Sequence, residues 1–265
     1  LNNSDNYYVL AHLTGNYSFT EEQKKGKELA DKVEEIQNDL FTASMSDYEK
    51  VVAVHDYLVD HSAYEEKKVS TGSTDEYNAY GVLVNHRGVC SSYTQAFHLF
   101  MKLNEIESRI VLGEADGVSH SWNLVCLDGE WYHVDTTWDD PVPDAKDRRI
   151  YAYLNVTDEF MEASHEWNRE DYPKATSTKY NYYVQNDSVV ENQEEFTDYV
   201  RQRLREEDEM ITCLVKDYRE EDYGSSLFQN MMSDTKAVSL NLQMYGEGKD
   251  KAFLLIPDYG RSLDE

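Results

Sequence analysis

Two stretches joined by Asp128-Gly129 decide the reading of this chain. Before the dipeptide runs Ser119-His120-Ser121-Trp122-Asn123-Leu124-Val125-Cys126-Leu127, and after it Glu130-Trp131-Tyr132-His133-Val134-Asp135-Thr136-Thr137. Both are rich in aromatic and β-branched residues, and Asp-Gly is a strong signal for a two-residue hairpin turn, because both of its central positions need positive φ. Such a turn sets Leu127 against Glu130, and counting back sets Trp122 opposite Asp135 and His120 opposite Thr137. His120 and Asp135 then become diagonal neighbours on one face, about 7 to 8 Å apart at the backbone and within side-chain reach. A slip of one residue would put them on opposite faces.

Upstream of the hairpin stands Gly88-Val89-Cys90-Ser91-Ser92-Tyr93. Gly88 breaks what precedes it, and Cys90, Tyr93, Phe97, Phe100 and Met101 recur at helical spacing, which predicts a helix starting at Cys90. The first turn of a helix has amides without partners and the positive end of its dipole, and both favour a thiolate. Arg109-Ile110-Val111-Leu112-Gly113 reads as a further strand, so the helix is expected to lie beside an antiparallel sheet. A thiol, an imidazole and a carboxylate follow in that order, the set that nucleophilic thiol chemistry needs. The candidates are Cys90 as nucleophile, His120 as base and Asp135 as the group that orients the base. His133 is a rival base and Asp139 a rival orienter, but His133 falls nearer the hairpin turn. His86 reads as loop surface. Tyr80, with Asn85 as the alternative, is the candidate for the side chain that completes an oxyanion hole with the Cys90 amide; the plain alternative for Tyr80 is a core tyrosine.

These motifs resemble the transglutaminase-like superfamily, which includes papain-related cysteine enzymes. The resemblance rests on Gly88-Val89-Cys90 with Tyr93, on His120-Ser121-Trp122-Asn123, and on Trp131-Tyr132-His133-Val134-Asp135 followed by Thr137-Trp138-Asp139. It extends upstream to Val54-His55-Asp56-Tyr57-Leu58 with Tyr64, and downstream to Tyr153-Leu154-Asn155-Val156-Thr157 with His165 and Trp167. It implies an α+β, papain-like fold, with N-terminal helices and a nucleophile helix packed on an antiparallel sheet. It also implies a Cys90-His120-Asp135 triad acting on protein or peptide amides, chiefly by hydrolysis, with no cofactor and no metal; the alternatives are transfer to an amine, as in a protein-glutamine transglutaminase, and a non-catalytic binding module on the same fold. The chain departs from the bacterial pattern at Ser92, where a glycine is usual, a change that bears on substrate access. Family habit points to an exported or cell-surface bacterial protein.

The rest of the composition sets bounds. At 265 residues the chain can form one large domain or two smaller ones. A formal net charge of −27 opposes nucleic acid and anionic membrane surfaces as partners. Three cysteines, an odd number, make no disulfide framework, and Cys126 and Cys213 in apolar runs read as buried, inert thiols. No stretch of eighteen apolar residues is present, so no membrane insertion is expected.

Outward from the centre, residues 1–19 read as an extended lead-in, and Thr20-Glu21-Glu22-Gln23 as a capping box opening an amphipathic helix with Leu29, Val33, Ile36 and Leu40 on one face. Ser46-Asp47-Tyr48-Glu49 repeats the capping pattern and opens a second helix, expected to pack against the first. His55 and His61 on it lie six apart and do not share a face, so a metal role is disfavoured. Residues 65–75 and 143–149 read as charged loops. The chain divides into a lead-in and helix over 1–45, a catalytic core over 46–183 and a small α/β appendage over 184–265, entered through an acidic linker at 191–195. In the appendage, Phe196, Val200 and Leu204 mark a helix, 211–215 a strand, 227–232 a second helix and 252–256 a strand.

Overall fold

The Asp128-Gly129 turn forms with φ of 53° and 80°, both in the left-handed region, as the primed hairpin turn requires. It joins β4 (Val118–Leu127) to β5 (Glu130–Val134). The register runs from Leu127 opposite Glu130 to Asn123 opposite Val134, and one step beyond the ladder brings Trp122 to Asp135. β3 (Ser108–Ala115) enters β4 through a second tight turn at Asp116 and Gly117, with φ of 49° and 72°. Two three-residue strands, β6 (Leu154–Val156) and β7 (His165–Trp167), complete a five-stranded sheet of order β6-β5-β4-β3-β7. β7 can lie against β3 because residue 113 is glycine: a Cβ there would stand 2.2 Å from the Glu166 carbonyl and 2.8 Å from the Trp122 ring. This computed structural model describes residues 19–65, 74–140 and 148–260. The lead-in over 1–18, the Thr20 side chain, most of the charged loop after Glu65 and the loop over 141–147 lie outside the described residues.

The helix that starts at Cys90 is α4 (Cys90–Leu103). Its apolar face, Tyr93, Ala96, Phe97, Phe100 and Met101, is fully buried in the same core as Val111, Trp122 and Leu124 of the sheet. Each large side chain removed from water in this way contributes about 1.5 to 3 kcal/mol. Polar stitches fix the helix along its own axis. Thr94 Oγ1 donates to the Ser121 carbonyl at 3.0 Å, and Asn123 Nδ2 donates to the Thr94 carbonyl at 3.1 Å. Sliding α4 along β4 would break both bonds inside the core.

The N-terminal helices are α1 (Phe19–Leu40) and α2 (Asp47–His61). Ser46 caps α2 through the expected box with Glu49. The two do not pack chiefly on each other. α1 approaches α3 (Ala79–Val84), while α2 lies against α3 and α4. The reason lies in α1's polar partners as much as in its buried Leu29 and Ile36: Lys25 pairs with Asp75 at 2.5 Å, and Asn104, at the end of α4, donates to Gln37 at 2.9 Å. Between α2 and α4 a short parallel ribbon, β1 (Ala63–Tyr64) with β2 (Arg87–Gly88), leads the chain to α4.

Beyond the short helices α5 (Asp158–Met161) and α6 (Tyr182–Gln185), a four-stranded sheet of order β10-β11-β9-β8 is formed by β8 (Val189–Val190), β9 (Ile211–Val215), β10 (Ser239–Tyr245) and β11 (Lys251–Asp258). Alternate residues of β11 explain its unbroken apolar run. Phe253 and Leu255 face a core made with α7 (Gln193–Arg205) and α8 (Ser225–Met232), whereas Ala252 and Leu254 join the core of the five-stranded sheet. The acidic run at 191–195 is no linker but the entry to α7: Asn192 caps the Glu195 amide at 3.0 Å, and the Glu195 carboxylate accepts from the Glu191 amide at 2.9 Å. Carboxylates at that end complement the helix dipole. β8 and β10 are strands beyond those expected from the sequence.

Candidate active site

Cys90 is the first residue of α4, whose N-cap position holds Val89 and has no capping side-chain bond. The Cys90 amide therefore has no acceptor within the helix. Gly88 lets the chain turn in tightly, since a Cβ there would stand 2.5 Å from Ser92 Oγ. Ser92 does not face the opening. It is fully buried, and its hydroxyl lies 2.7 Å from the carbonyls of both Glu76 and Asn78, tying the first turn back to the preceding segment.

The hairpin brings His120 and Asp135 together as its register predicts: His120 Nε2–H donates to Asp135 Oδ2 at 2.7 Å. The other carboxylate oxygen accepts the amides of Thr137 at 3.0 Å and Trp138 at 3.1 Å. The Asp135 amide in turn donates to the Tyr153 carbonyl at 3.0 Å. Cys90 is near enough to His120 and Ser121 for both to act on its thiol. With Nε2 on the carboxylate, Nδ1 is the ring nitrogen left for the sulfur.

The electrostatics follow from these contacts. Burial pushes the Cys90 thiol up, but the hydrogen bond and charge of His120, with the bonds from Ser121, outweigh it and leave the thiol below its ordinary value. Burial lowers His120, yet the Asp135 charge and hydrogen bond, with Cys90 on the other side, raise it to about 10. Burial likewise works against the Asp135 carboxylate, and the charge and bonds of His120 and His165 overcome that and hold it well below the carboxylate range. The other thiols go the opposite way. Burial raises both Cys126 and Cys213; Cys213 is buried as expected, Cys126 only partly, and all three cysteines are free.

His165 is the residue that patterning missed. It is 1% exposed, its Nε2–H donates to the same Asp135 oxygen at 3.1 Å, and its Nδ1 lies 2.8 Å from the Ser164 hydroxyl. The signal was present, because His165 and Trp167 stand two apart like inward residues of a strand, but nothing local says that this strand reaches the edge of β3. His133, the rival base, is committed elsewhere. Its Nδ1 accepts from Trp122 Nε1 at 2.9 Å and its Nε2 meets Asp158 at 2.8 Å, while burial holds it below the ordinary histidine value. Asp139 accepts from His55 Nε2 at 3.1 Å and belongs to a separate pair. His86 is exposed, as expected of loop surface, with Nδ1 2.8 Å from the His61 carbonyl.

The oxyanion candidate needs correction. Tyr80 donates from its hydroxyl to Glu28 Oε2 at 2.6 Å, and Lys25 lies 5.3 Å over its ring. The ring is thus drawn into the α1–α3 contact, because two charged groups of α1 meet it there. Asn85, the alternative, is the exposed C-cap of α3. His120, Asp135 and His165 are the group, among the described residues, that has metal-type donors within 4.8 Å of one another. Their facing atoms already bond to each other through Asp135 Oδ2, so a cation would have to displace both hydrogen bonds.

A cleft of about 750 Å³ opens at His120. Trp138 and Thr137 line it from the core, Val118 from the start of β4, and Gln243 to Tyr245 from β10. Trp122 shields the base from within, its ring 5.9 Å from His120 and 20° from parallel. Such walls exclude water and strengthen the charge interactions around the thiol.

Residues 34–136 match the model of the transglutaminase-like superfamily. The human kyphoscoliosis peptidase is 24% identical over 118 residues, a match that covers 40% of this chain and 18% of that protein, so the chain spans less than a fifth of that curated relative's length. Among solved structures, a TGase shares 15% identity over 54% of this chain and 39% of its own, with a TM-score of 0.39. The periplasmic domain of TgpA from Pseudomonas aeruginosa shares 18% identity over 52% of this chain and 48% of its own, with a TM-score of 0.30. What the comparisons give is thus a likeness to the transglutaminase-like superfamily that is confined to residues 34–136.

Proposed function

We propose that this protein is a cysteine enzyme of acyl transfer on protein or peptide amides, acting chiefly as a hydrolase. The observation that carries this reading is the His120–Asp135 bond at 2.7 Å, with Cys90 as the first residue of α4 and His120 acting on its thiol. Thiolate Cys90 attacks the amide carbon, forming a C–S bond and a tetrahedral oxyanion beside the N-terminus of α4. The Cys90 amide is the backbone donor aimed at that charge. Imidazolium His120 gives its Nδ1 proton to the leaving nitrogen as the C–N bond breaks, and an amine departs. Water then loses a proton to His120 and attacks the thioester; the C–O bond forms, the C–S bond breaks, and the thiolate returns. Asp135 holds the ring in one tautomer throughout. His165 and two backbone amides hold Asp135. If an amine replaces water in the second half, the product is a new amide and the enzyme is a transglutaminase.

Iodoacetamide tests the thiol. At about pH 6 an ordinary thiol of pKa about 8.5 is almost unreactive, so rapid alkylation of Cys90 alone is the expected result. Uniformly slow labelling of all three cysteines sinks the reading in favour of a binding module. A casein digest supplied with a labelled amine separates the two second steps: new peptide ends mean hydrolysis, and amine incorporation means transfer.

A further inference from the structure

The C-terminal sheet touches the cleft in an informative way. Gln243, Met244 and Tyr245 are consecutive on β10, and all three line the cleft. Side chains of consecutive strand residues point to opposite faces, so a cavity that meets all three lies at the strand's edge rather than on one face. β10 is the outer strand of its sheet, paired with β11 in an unbroken register from Ser239 opposite Asp258 to Tyr245 opposite Ala252. Among the described residues no strand pairs with its other side.

Edge strands of soluble proteins are normally guarded by charges, proline, bulges or brevity. β10 has none of these. It reads Ser239-Leu240-Asn241-Leu242-Gln243-Met244-Tyr245, seven residues without a charge or a proline, in a chain of which 29% is charged. At the opposite edge of the sheet β8 is only two residues long. Two large apolar side chains that line the cleft stand exposed, Val118 at 66% and Met244 at 47%. In an antiparallel pair, every second residue of the outer strand directs both its N–H and its C=O outward.

Resting on the acyl-transfer reading above, we propose that the edge of β10 is a docking rail for an extended polypeptide substrate, which adds to the C-terminal sheet as a further strand and so lies along the cleft that leads to His120. The backbone of the substrate is recognised by the outward N–H and C=O groups, and an apolar substrate side chain sits between Val118 and Met244. This selects unfolded or loop segments, because a helix, or a strand paired on both sides, has no free backbone to offer. It also gives the C-terminal segment a place in the enzyme, that of orienting the chain whose amide is attacked.

The test separates docking from catalysis. Cys90→Ala protein, which binds without turnover, is exposed to a tryptic digest of casein, and the captured peptides are identified by mass. The same capture is run with Gln243→Pro and Met244→Pro in that background. One of these neighbouring amides points outward, and proline there removes a donor and obstructs the edge while sparing the ladder to β11. The expected result is peptide capture, lost about ten-fold in one proline variant whose melting temperature is unchanged. In the Cys90-containing protein the same substitution leaves alkylation of Cys90 at pH 6 unaltered. A captured peptide is then resynthesised with single N-methyl groups, and affinity is expected to fall only at every second position, a readout that needs no variant to fold. Equal capture by both proline variants with no alternation in the N-methyl series, or no capture by a protein whose Cys90 alkylates rapidly, overturns the rail and leaves the enzyme standing. Slow Cys90 alkylation with alternating capture does the reverse. A dimer that the outward proline returns to monomer assigns the edge to a second copy and likewise overturns the proposal.

Discussion

Two histidine–aspartate pairs share one turn of chain. Asp135 and Asp139 are joined by the bond from the Asp139 amide to the Asp135 carbonyl at 3.2 Å. Tyr153 clamps both, its carbonyl accepting from the Asp135 amide at 3.0 Å and its amide donating to Asp139 at 3.0 Å. Each aspartate has a histidine, His120 at 2.7 Å and His55 at 3.1 Å. The difference lies at the far nitrogen. That of His120 is left to the Cys90 sulfur and the ring reaches the cleft, whereas His55 Nδ1 meets Asp56 at 3.0 Å and the ring is wholly buried. An imidazolium between a thiolate and a carboxylate can hand its proton to a leaving amine. One sealed between two carboxylates has nowhere to send it. On the proposed mechanism, the same pair of residue types serves reaction in one place and architecture in the other, four residues apart.

The sharpest way to break the comparison is to change one aspartate at a time. Asp135→Asn keeps the shape but turns an acceptor into a possible donor toward His120 Nε2, which forces the ring's proton to the side that must receive one. Turnover on a peptide substrate is expected to fall about 10⁴-fold, with little change in melting temperature. Asp139→Ala leaves His55 without its buried partner, and stability is expected to fall by about 3 to 5 kcal/mol in denaturant titration while Cys90 still alkylates in the protein that remains folded. If Asp139→Ala costs no stability, the two pairs are not different in kind.

A smaller effect probes how Asp135 is held. His165→Phe removes one of the four donors on that carboxylate, and kcat is expected to fall about ten-fold with KM unchanged. His165→Gln, whose amide can still donate, recovers most of the loss. Equal losses in both variants would assign His165 to packing alone.

The parts of this site that could be read beforehand are those fixed by neighbours in sequence. The Asp128-Gly129 turn sets the register from Leu127 back to Trp122, and that register fixes which face His120 and Asp135 share. The start of α4 follows from the helical period of Tyr93, Phe97 and Phe100. What could not be read depends on contacts between distant segments. Tyr80 sits on a six-residue helix whose outer face could have met the thiol or α1, and the choice is made by Glu28 and Lys25. The place of His165 depends on Gly113 admitting a strand to the edge of β3, a close approach that no turn or period announces. β10 alternates polar and apolar residues from Ser239 to Met244, so the signal of a strand was present there. The acidic run at 191–195 has the composition of a linker and the geometry of a cap.

The pH dependence of stability sharpens the comparison further. Burial lowers His55, but its hydrogen bonds to Asp139 and Asp56 raise it from 6.5 to about 9. A histidine raised on folding contributes stability that is complete below its unfolded value and lost as pH climbs through the folded one. His120, raised to about 10, has the same sign. Unfolding free energy is therefore expected to decline from about pH 6.5 upward and to level near pH 10. In His55→Gln the decline loses its portion around pH 9 and keeps the later one. A variant whose curve matches the parent's would place the charge of His55 outside the linkage.

The smallest expected effect is at Tyr80, where a catalytic and an architectural role give opposite results. A hydroxyl that stabilised the oxyanion would be worth about 10² to 10³ in kcat. A hydroxyl that bonds Glu28 across the α1–α3 contact, as the 2.6 Å distance records, is worth about 1 kcal/mol of stability and nothing in kcat. Tyr80→Phe keeps the ring under Lys25 and removes only the oxygen. Peptide turnover is therefore expected to stay within about two-fold while the denaturant midpoint drops slightly, and Glu28→Gln, which keeps an acceptor but loses the charge, should lower it less. A hundred-fold loss of kcat in Tyr80→Phe at unchanged stability would return the residue to the active site, and would mean that α1 releases it when substrate enters.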